Sequence, residues 1–408
     1  MTEVPPPPFD VHAFARQFQD FLGWVHETGS GRRDGAVTGR LLAHLGRTAD
    51  DEGRPPVVAR ELPPFEQVNL QLALEAWAQA DGRTVEVLGW SVPLHHQSPD
   101  LGQLLTGENL PHLRPTAPEL VDLPSGPGRS IGVWRRAGLL VRDGRGDYVV
   151  LVRGPEQHQE PTLTVEVAGV SAGTAQQVLA ELDALRNERN VYRGQVLELR
   201  QAMNGFVVEF PVLPRTERAD VVLPDAVLER VERHSIGIAT QRAALRAAGQ
   251  HLKRGLLLYG PPGTGKTHTT RYVVQHVPDA TVLLLSGRSL HLVGQVTQLA
   301  RELEPAVVVL EDVDLVAEGR GHHGSQPVLF ELLDAMDGAA SDADLLFLLT
   351  THRAEALEHA LAARPGRVDV AVEITLPDAD ARRRLLAVYT RGVPLSLTDA
   401  EIDDVVDR

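Results

Sequence analysis

The stretch GPPGTGKT at 260–267 follows an apolar run, GLLLY at 255–259, and leads into a segment of hydroxyls and helix formers. Gly260, Gly263 and Gly265 let the backbone curl so that successive N–H groups face inward, a shape suited to phosphate oxygens. A helix starting directly behind such a turn adds its positive end. Lys266 is then expected to reach the outer phosphates, and the hydroxyl of Thr267 to hold Mg²⁺. The expected nucleotide-binding set is Gly260, Pro261, Pro262, Gly263, Thr264, Gly265, Lys266, Thr267 and His268. A surface turn of Gly and Pro would need neither the apolar strand before it nor the helix after it.

Such a loop binds phosphate but brings no acid. VVVLEDVD at 307–314 supplies acids at the end of an apolar strand, with Glu311 before Asp312. By position, Glu311 is expected to hold the metal through water and Asp312 to orient or deprotonate an attacking water. A third strand, LLFLLTTH at 345–352, ends in His352, which could donate to phosphate or hold water. Beyond it, ARPGRVD at 363–369 carries Arg364 and Arg367, suited to neutralising transition-state charge from outside the subunit's own pocket. The expected catalytic set is Lys266, Glu311, Asp312, His352, Arg364 and Arg367, with Thr267 and Glu311 as the metal positions.

These residues need a scaffold that brings strand ends together. From Val221 onward, apolar runs alternate with helix-length segments, as in a parallel sheet buried on both faces. Residues 216–378 read as this doubly wound core, and 379–408 as the start of a small helical lid, either truncated or minimal. Residues 1–215 read as an α+β region of two subdomains, about 1–128 and 129–215, that carries no catalytic motif and is expected to bind a client or partner. Within it, helical spacing marks 11–25 and 65–80, and 91–128 reads as loops or a small irregular subdomain. A hairpin is expected around RDGRGD at 142–147, followed by a strand at 162–170, a helix at 172–190 and a strand at 204–215.

At 408 residues with a net charge of −15, the chain has room for more than one domain and lacks the basic balance that grips nucleic acid. It has no cysteine, so disulfides and thiolate metal sites are excluded. No apolar stretch approaches the roughly 20 residues of a membrane helix, and the expected location is cytoplasmic. Adjacent histidines at 95–96 and 322–323 lack the companions of a metal site and read as exposed loop residues.

GPPGTGKT, LFELLDAMDG at 329–338 and ARPGRVD, in that order, resemble the AAA family of ATPases over about residues 215–395. The Glu-Asp order at 311–312, with VVLPDAVLERV at 221–231, is similar to the branch containing the mitochondrial Rieske-protein translocase. The resemblance implies a P-loop NTPase fold, ATP and Mg²⁺ as cofactors, and ATP hydrolysis coupled to remodelling or translocating a protein client. It implies a homo-oligomeric ring, usually a hexamer, in which Arg364 and Arg367 serve a neighbour's site. It implies too that Asp-Glu is the commoner acid order and Asn the commoner residue at His352. SLHLVGQ at 289–295 corresponds to a pore loop, with Leu292 where many relatives carry an aromatic residue. The alternative is a nucleotide-dependent assembly switch or scaffold with slow hydrolysis.

Overall fold

The structure, a computed structural model, describes residues 36–48, 55–92, 98–107, 113–155, 162–202, 205–314, 343–353, 368–394 and 398–407. The chain divides into two compact units, Met1–Asp122 with Gly132–Arg189, and Leu123–Ile131 with Asn190–Arg408. The expected helix at 11–25 and both histidine pairs lie outside the described residues.

In the first unit, β1 (Val57–Leu62), β2 (Thr84–Ser91), β3 (Arg114–Thr116), β5 (Arg129–Asp143), β6 (Gly146–Arg153) and β7 (Leu163–Ala168) form a sheet in the order β1-β7-β6-β5-β2-β3, with β4 (Glu119–Gly126) paired to β5. Its neighbours pair antiparallel, and the expected hairpin turns between Asp143 and Gly146. Side chains alternate across a strand, and here both faces are covered. Leu139, Val141, Val150 and Val152 pack with α2 (Gln67–Ala78) and α4 (Ala172–Glu188). Leu140, Val149 and Leu151 pack with α1 (Ala36–His44) and α3 (Leu101–Thr106). The α+β reading of this region holds. At 91–128, expected as loops or a small irregular subdomain, the structure places α3, β3 and β4; β4 includes Pro and Gly and buries little until its end, so it lacks the apolar run that marks a strand.

The second unit holds a sheet ordered β14-β10-β13-β12-β11-β8-β9. Its strands are β8 (Val196–Ala202), β9 (Gly205–Glu209), β10 (Arg254–Tyr259), β11 (Thr281–Ser286), β12 (Ala306–Glu311), β13 (Leu345–Thr351) and β14 (Val370–Glu373). Pairing is parallel from β14 to β8, and β9 returns antiparallel. The central strands are buried along most of their length, as a sheet covered on both faces requires. Among the covering helices are α5 (Asp225–Glu232), α6 (Lys266–His276) and α7 (Val293–Glu302); α8 (Ala379–Tyr389) and α9 (Asp399–Asp407) follow the sheet. Tyr272 of α6 donates its hydroxyl to Glu232 of α5 at 2.6 Å, and Arg218 donates to the same carboxylate at 2.8 Å.

The second compact unit takes in Leu123–Ile131 and runs on from Asn190. The β8–β9 hairpin joins the edge of the parallel sheet through β11, a pairing that no local pattern announces. The stretch expected to be a pore loop is a 3₁₀ turn, Gly287–Leu292, running into α7. Leu292 is 5% exposed and Val293 0%, so both pack inward. Among the described residues no helix is long and apolar enough to cross a membrane.

Candidate nucleotide site

The site forms at the carboxyl ends of β10, β12 and β13, where parallel α/β sheets present ligands to loops. The loop after β10 keeps positive φ at Gly260 (+145°), Gly263 (+77°) and Gly265 (+99°). At Gly260 a side chain is excluded outright, because a Cβ would stand 2.2 Å from the carbonyl oxygen of Ile374. Gly265 ends the loop as the N-cap of α6 and offers no side chain to cap it. The first N–H groups of a helix lack intrahelical partners, so this end is left open to an anion.

Lys266 is the first residue of α6 and is 4% exposed. Its Nζ donates to the carbonyls of Gly260 and Pro261, each at 2.8 Å, and stands 2.9 Å from Nδ1 of His352. Burial holds the ammonium below the usual lysine range, and the charges of Asp312 and Asp314 oppose that shift. Across the ring, Nε2 of His352 lies 3.1 Å from Oδ1 of Asp312. Lys266, His352 and Asp312, widely separated in sequence, are therefore joined by consecutive short contacts.

Local backbone geometry fixes the acids. Asp312 has φ +52° immediately after β12, and its N–H is held by the Thr350 hydroxyl at 3.0 Å. Val313 N–H donates to the Thr350 carbonyl at 3.0 Å, tying the acid turn to β13. Asp314, buried to 8% exposure, accepts from the Thr351 hydroxyl at 3.0 Å and from the His352 N–H at 3.2 Å. Burial, with help from the charge of Asp312, pushes Glu311 above the usual carboxylate range, and Arg271 pulls it back. Such a carboxyl gains most from a cation placed against it.

Beside the loop lies a cavity of ≈ 390 Å³ lined by Gly263, Thr264, Gly265 and His268, by residues 220–224, and by residues from 375–389. Nε2 of His268 is buried there without a hydrogen-bond partner. Asp220 on the same wall is held below the usual carboxylate range by the Glu217 N–H and by Arg391. An uncapped helix end, a buried lysine behind it and an adjoining cavity with an orphaned imidazole nitrogen fit a nucleotide. Thr267, exposed at the first turn, and Glu311 are the residues that would hold Mg²⁺ if it were bound with the nucleotide.

Of the residues expected from sequence, the structure brings together the 260–268 loop, Asp312 and His352, with Glu311 adjoining. Arg364 and Arg367 lie outside the described residues. Sequence reading assigned no role to Asp314, although it stands inside VVVLEDVD, because its partners are on another strand. It also missed the wall at 220–224 and 375–389, whose residues carry no chemical signature.

Residues 256–376 match the family model described as "ATPase family associated with various cellular activities (AAA)". The chain is 35% identical over 169 residues to the 26S proteasome regulatory subunit 6B homolog of Dictyostelium discoideum, covering 38% of this chain and 41% of that one. It is 32% identical over 211 residues to the ATP-dependent zinc metalloprotease FtsH of Mycobacterium tuberculosis, covering 48% and 27%. It is 38% identical over 157 residues to the proteasome-activating nucleotidase of Methanospirillum hungatei, covering 35% and 38%. The chain thus spans less than half the length of these relatives.

Proposed function

We propose, on the premise that residues 256–376 are an AAA domain, that this chain binds ATP with Mg²⁺ and hydrolyses it to remodel or translocate a protein client. The observation that carries this reading is the continuous set of contacts from Lys266 through His352 to Asp312, beside an uncapped helix end and a cavity with an unpartnered imidazole nitrogen.

Lys266 supplies the cation for the phosphate oxygens. Mg²⁺, when bound, neutralises phosphate charge next to Thr267 and Glu311. Asp312 orients the attacking water and accepts its proton, its backbone held by the bond from its own N–H to the Thr350 hydroxyl. Arg364 and Arg367 act on a neighbouring subunit's site in a homo-oligomeric ring, with a hexamer as the expected size. The Glu311-Asp312 order supports a position near the branch containing the Rieske-protein translocase. Two of the relatives are named for the proteasome and one as an ATP-dependent metalloprotease, which supports a polypeptide client selected by the first unit. Net charge −15 disfavours nucleic acid as that client. A cytoplasmic location belongs to the same reading.

The test is turnover of Mg-ATP by the full chain against Lys266→Ala. Phosphate release that depends on Lys266 is expected; release equal in both proteins sinks the hydrolytic reading. A second reading, a nucleotide-dependent assembly switch with slow hydrolysis, is favoured by the burial of Leu292 and Val293, which leaves that stretch without a handle for threading. Oligomer mass in ADP, ATP and a slowly hydrolysed analogue, measured beside unfolding of a candidate client, separates the two. Unfolding without a long-lived ATP-bound assembly excludes the switch.

A further inference from the structure

Tyr272 and Gln275 stand one turn apart on α6, towards the end of the helix that Lys266 begins. Gln275 spends both halves of its carboxamide on one short piece of main chain. Its Oε1 accepts the Thr216 N–H at 3.0 Å, and its Nε2 donates to the Pro214 carbonyl at 2.7 Å. The two partners fix which way the amide faces, because an N–H needs an acceptor and a carbonyl a donor. Two residues further on, Arg218 Nε donates to Glu232 Oε1 at 2.8 Å, the same oxygen that takes the Tyr272 hydroxyl at 2.6 Å. The 3₁₀ turn that follows, Arg218–Asp220, is closed by its own bonds: the Glu217 N–H reaches Asp220 Oδ2, and the Asp220 N–H the Glu217 carbonyl, both at 2.9 Å. The cavity wall at 220–224 begins where this turn ends. Of residues 214–219 Thr216 alone is buried, so apolar packing has little with which to place the stretch, and the polar contacts from α5 and α6 do it instead.

We infer that Gln275 is a positioning residue for nucleotide binding: together with Tyr272, which acts through Glu232, it holds the 220–224 wall to the helix that carries Lys266. This rests on the ATP reading above. The phosphate end of the site and the wall beside it are then referred to one helix, and the wall is in place before a nucleotide arrives. Freed from Gln275, the stretch at 214–216 would leave the wall in position for only part of the time. A ligand that rests on the wall then loses affinity by that fraction, whereas one that touches the phosphate loop alone does not. A bound nucleotide holds the wall by itself, so the step at Asp312 runs as before. The other arrangement, in which Gln275 only steadies the fold, predicts no distinction between these ligands.

The experiment compares the full chain with Gln275→Met, which keeps the length of the side chain and loses both bonds, and with Tyr272→Phe, which loses only the hydroxyl. Calorimetric titration reads affinity for ADP and for inorganic tripolyphosphate, each with Mg²⁺, and steady-state turnover of Mg-ATP reads KM and kcat. Gln275→Met is expected to bind ADP about tenfold more weakly and to raise KM to match, as for a wall in place about a tenth of the time, with tripolyphosphate affinity and kcat within about twofold of the parent. Tyr272→Phe is expected to weaken ADP by a smaller factor, since Arg218 still holds Glu232. ADP affinity unchanged in Gln275→Met, ADP and tripolyphosphate weakened alike, or kcat falling as KM rises overturns the clamp and leaves the ATP reading standing. A parent protein that binds no adenine nucleotide overturns the ATP reading and the clamp with it. Thermal midpoints check that each variant is folded at the titration temperature; should Gln275→Met fail that check, Tyr272→Phe carries the same comparison between ADP and tripolyphosphate.

Discussion

Asp314 holds His352 by the backbone: Oδ1 of the acid accepts the histidine N–H at 3.2 Å, and the Thr351 hydroxyl at 3.0 Å. Asp314→Ala would leave the His352 N–H without its acceptor and the Thr351 hydroxyl with only its longer bond to the Arg353 carbonyl at 3.4 Å, at a cost of about 1–3 kcal/mol for a buried group left unpaired. The urea midpoint should fall accordingly, and turnover should fall with it because the imidazole loses its platform. Asp314→Asn, which keeps an amide oxygen in place, should lose less on both measures. A midpoint unchanged in Asp314→Ala would remove Asp314 from this role.

Asp312→Asn retains the size of the side chain and its backbone tie to Thr350 but cannot take a proton from water. Turnover should drop by about 10² to 10⁴, while nucleotide affinity, measured by fluorescence titration, stays within a small factor of the parent. If affinity collapses as well, Asp312 holds the nucleotide or its metal, and the roles assigned to Glu311 and Asp312 must be exchanged.

Leu292 tests the threading question through stability. A side chain exposed in a pore can be shortened without effect on folding, whereas one at 5% exposure leaves a void. Leu292→Ala should therefore lower the free energy of unfolding by about 2–5 kcal/mol, read by chemical denaturation. An unchanged midpoint would return Leu292 to a surface loop.

Glu232 gives the second unit a sign for its acid sensitivity. Burial raises its pKa, but the bonds from Arg218 and Tyr272 outweigh that and hold the carboxyl below the usual range. An acid depressed in the folded state stabilises the fold above its unfolded pKa, about 4.3 for Glu, and that stability drains away as the pH falls through the folded value. Glu232→Gln should lower the thermal midpoint at neutral pH, and the difference from the parent should shrink below pH ~4. A gap that stays constant on acidification would assign the effect to packing between α5 and α6.

What could be read from the sequence was local. Strands β10 to β13 are buried on both faces and therefore appear as unbroken apolar runs, and the spacing of Gly260, Gly263, Gly265 and Lys266 contains its own chemistry. What escaped was assembled across distance. Asp314 acquires meaning only from Thr351 and His352 on another strand, and the cavity wall joins 220–224 to 375–389. Leu292 resembles a loop residue until a 3₁₀ turn rotates it into the interior. The β8–β9 hairpin has strand character in either unit, and its pairing with β11 is what assigns it to the second.

The contact between Gly260 and Ile374 acts as a tie. The Ile374 N–H donates to the Tyr259 carbonyl at 2.7 Å, and its own carbonyl fills the space where a side chain at 260 would stand. Residues 375–389, several of which line the cavity, follow at once, so the phosphate loop and that wall are tied at position 260 by main-chain atoms. Side chains along the wall can be exchanged without loosening this tie. A side chain at 260, by contrast, would have to push the loop and the wall apart.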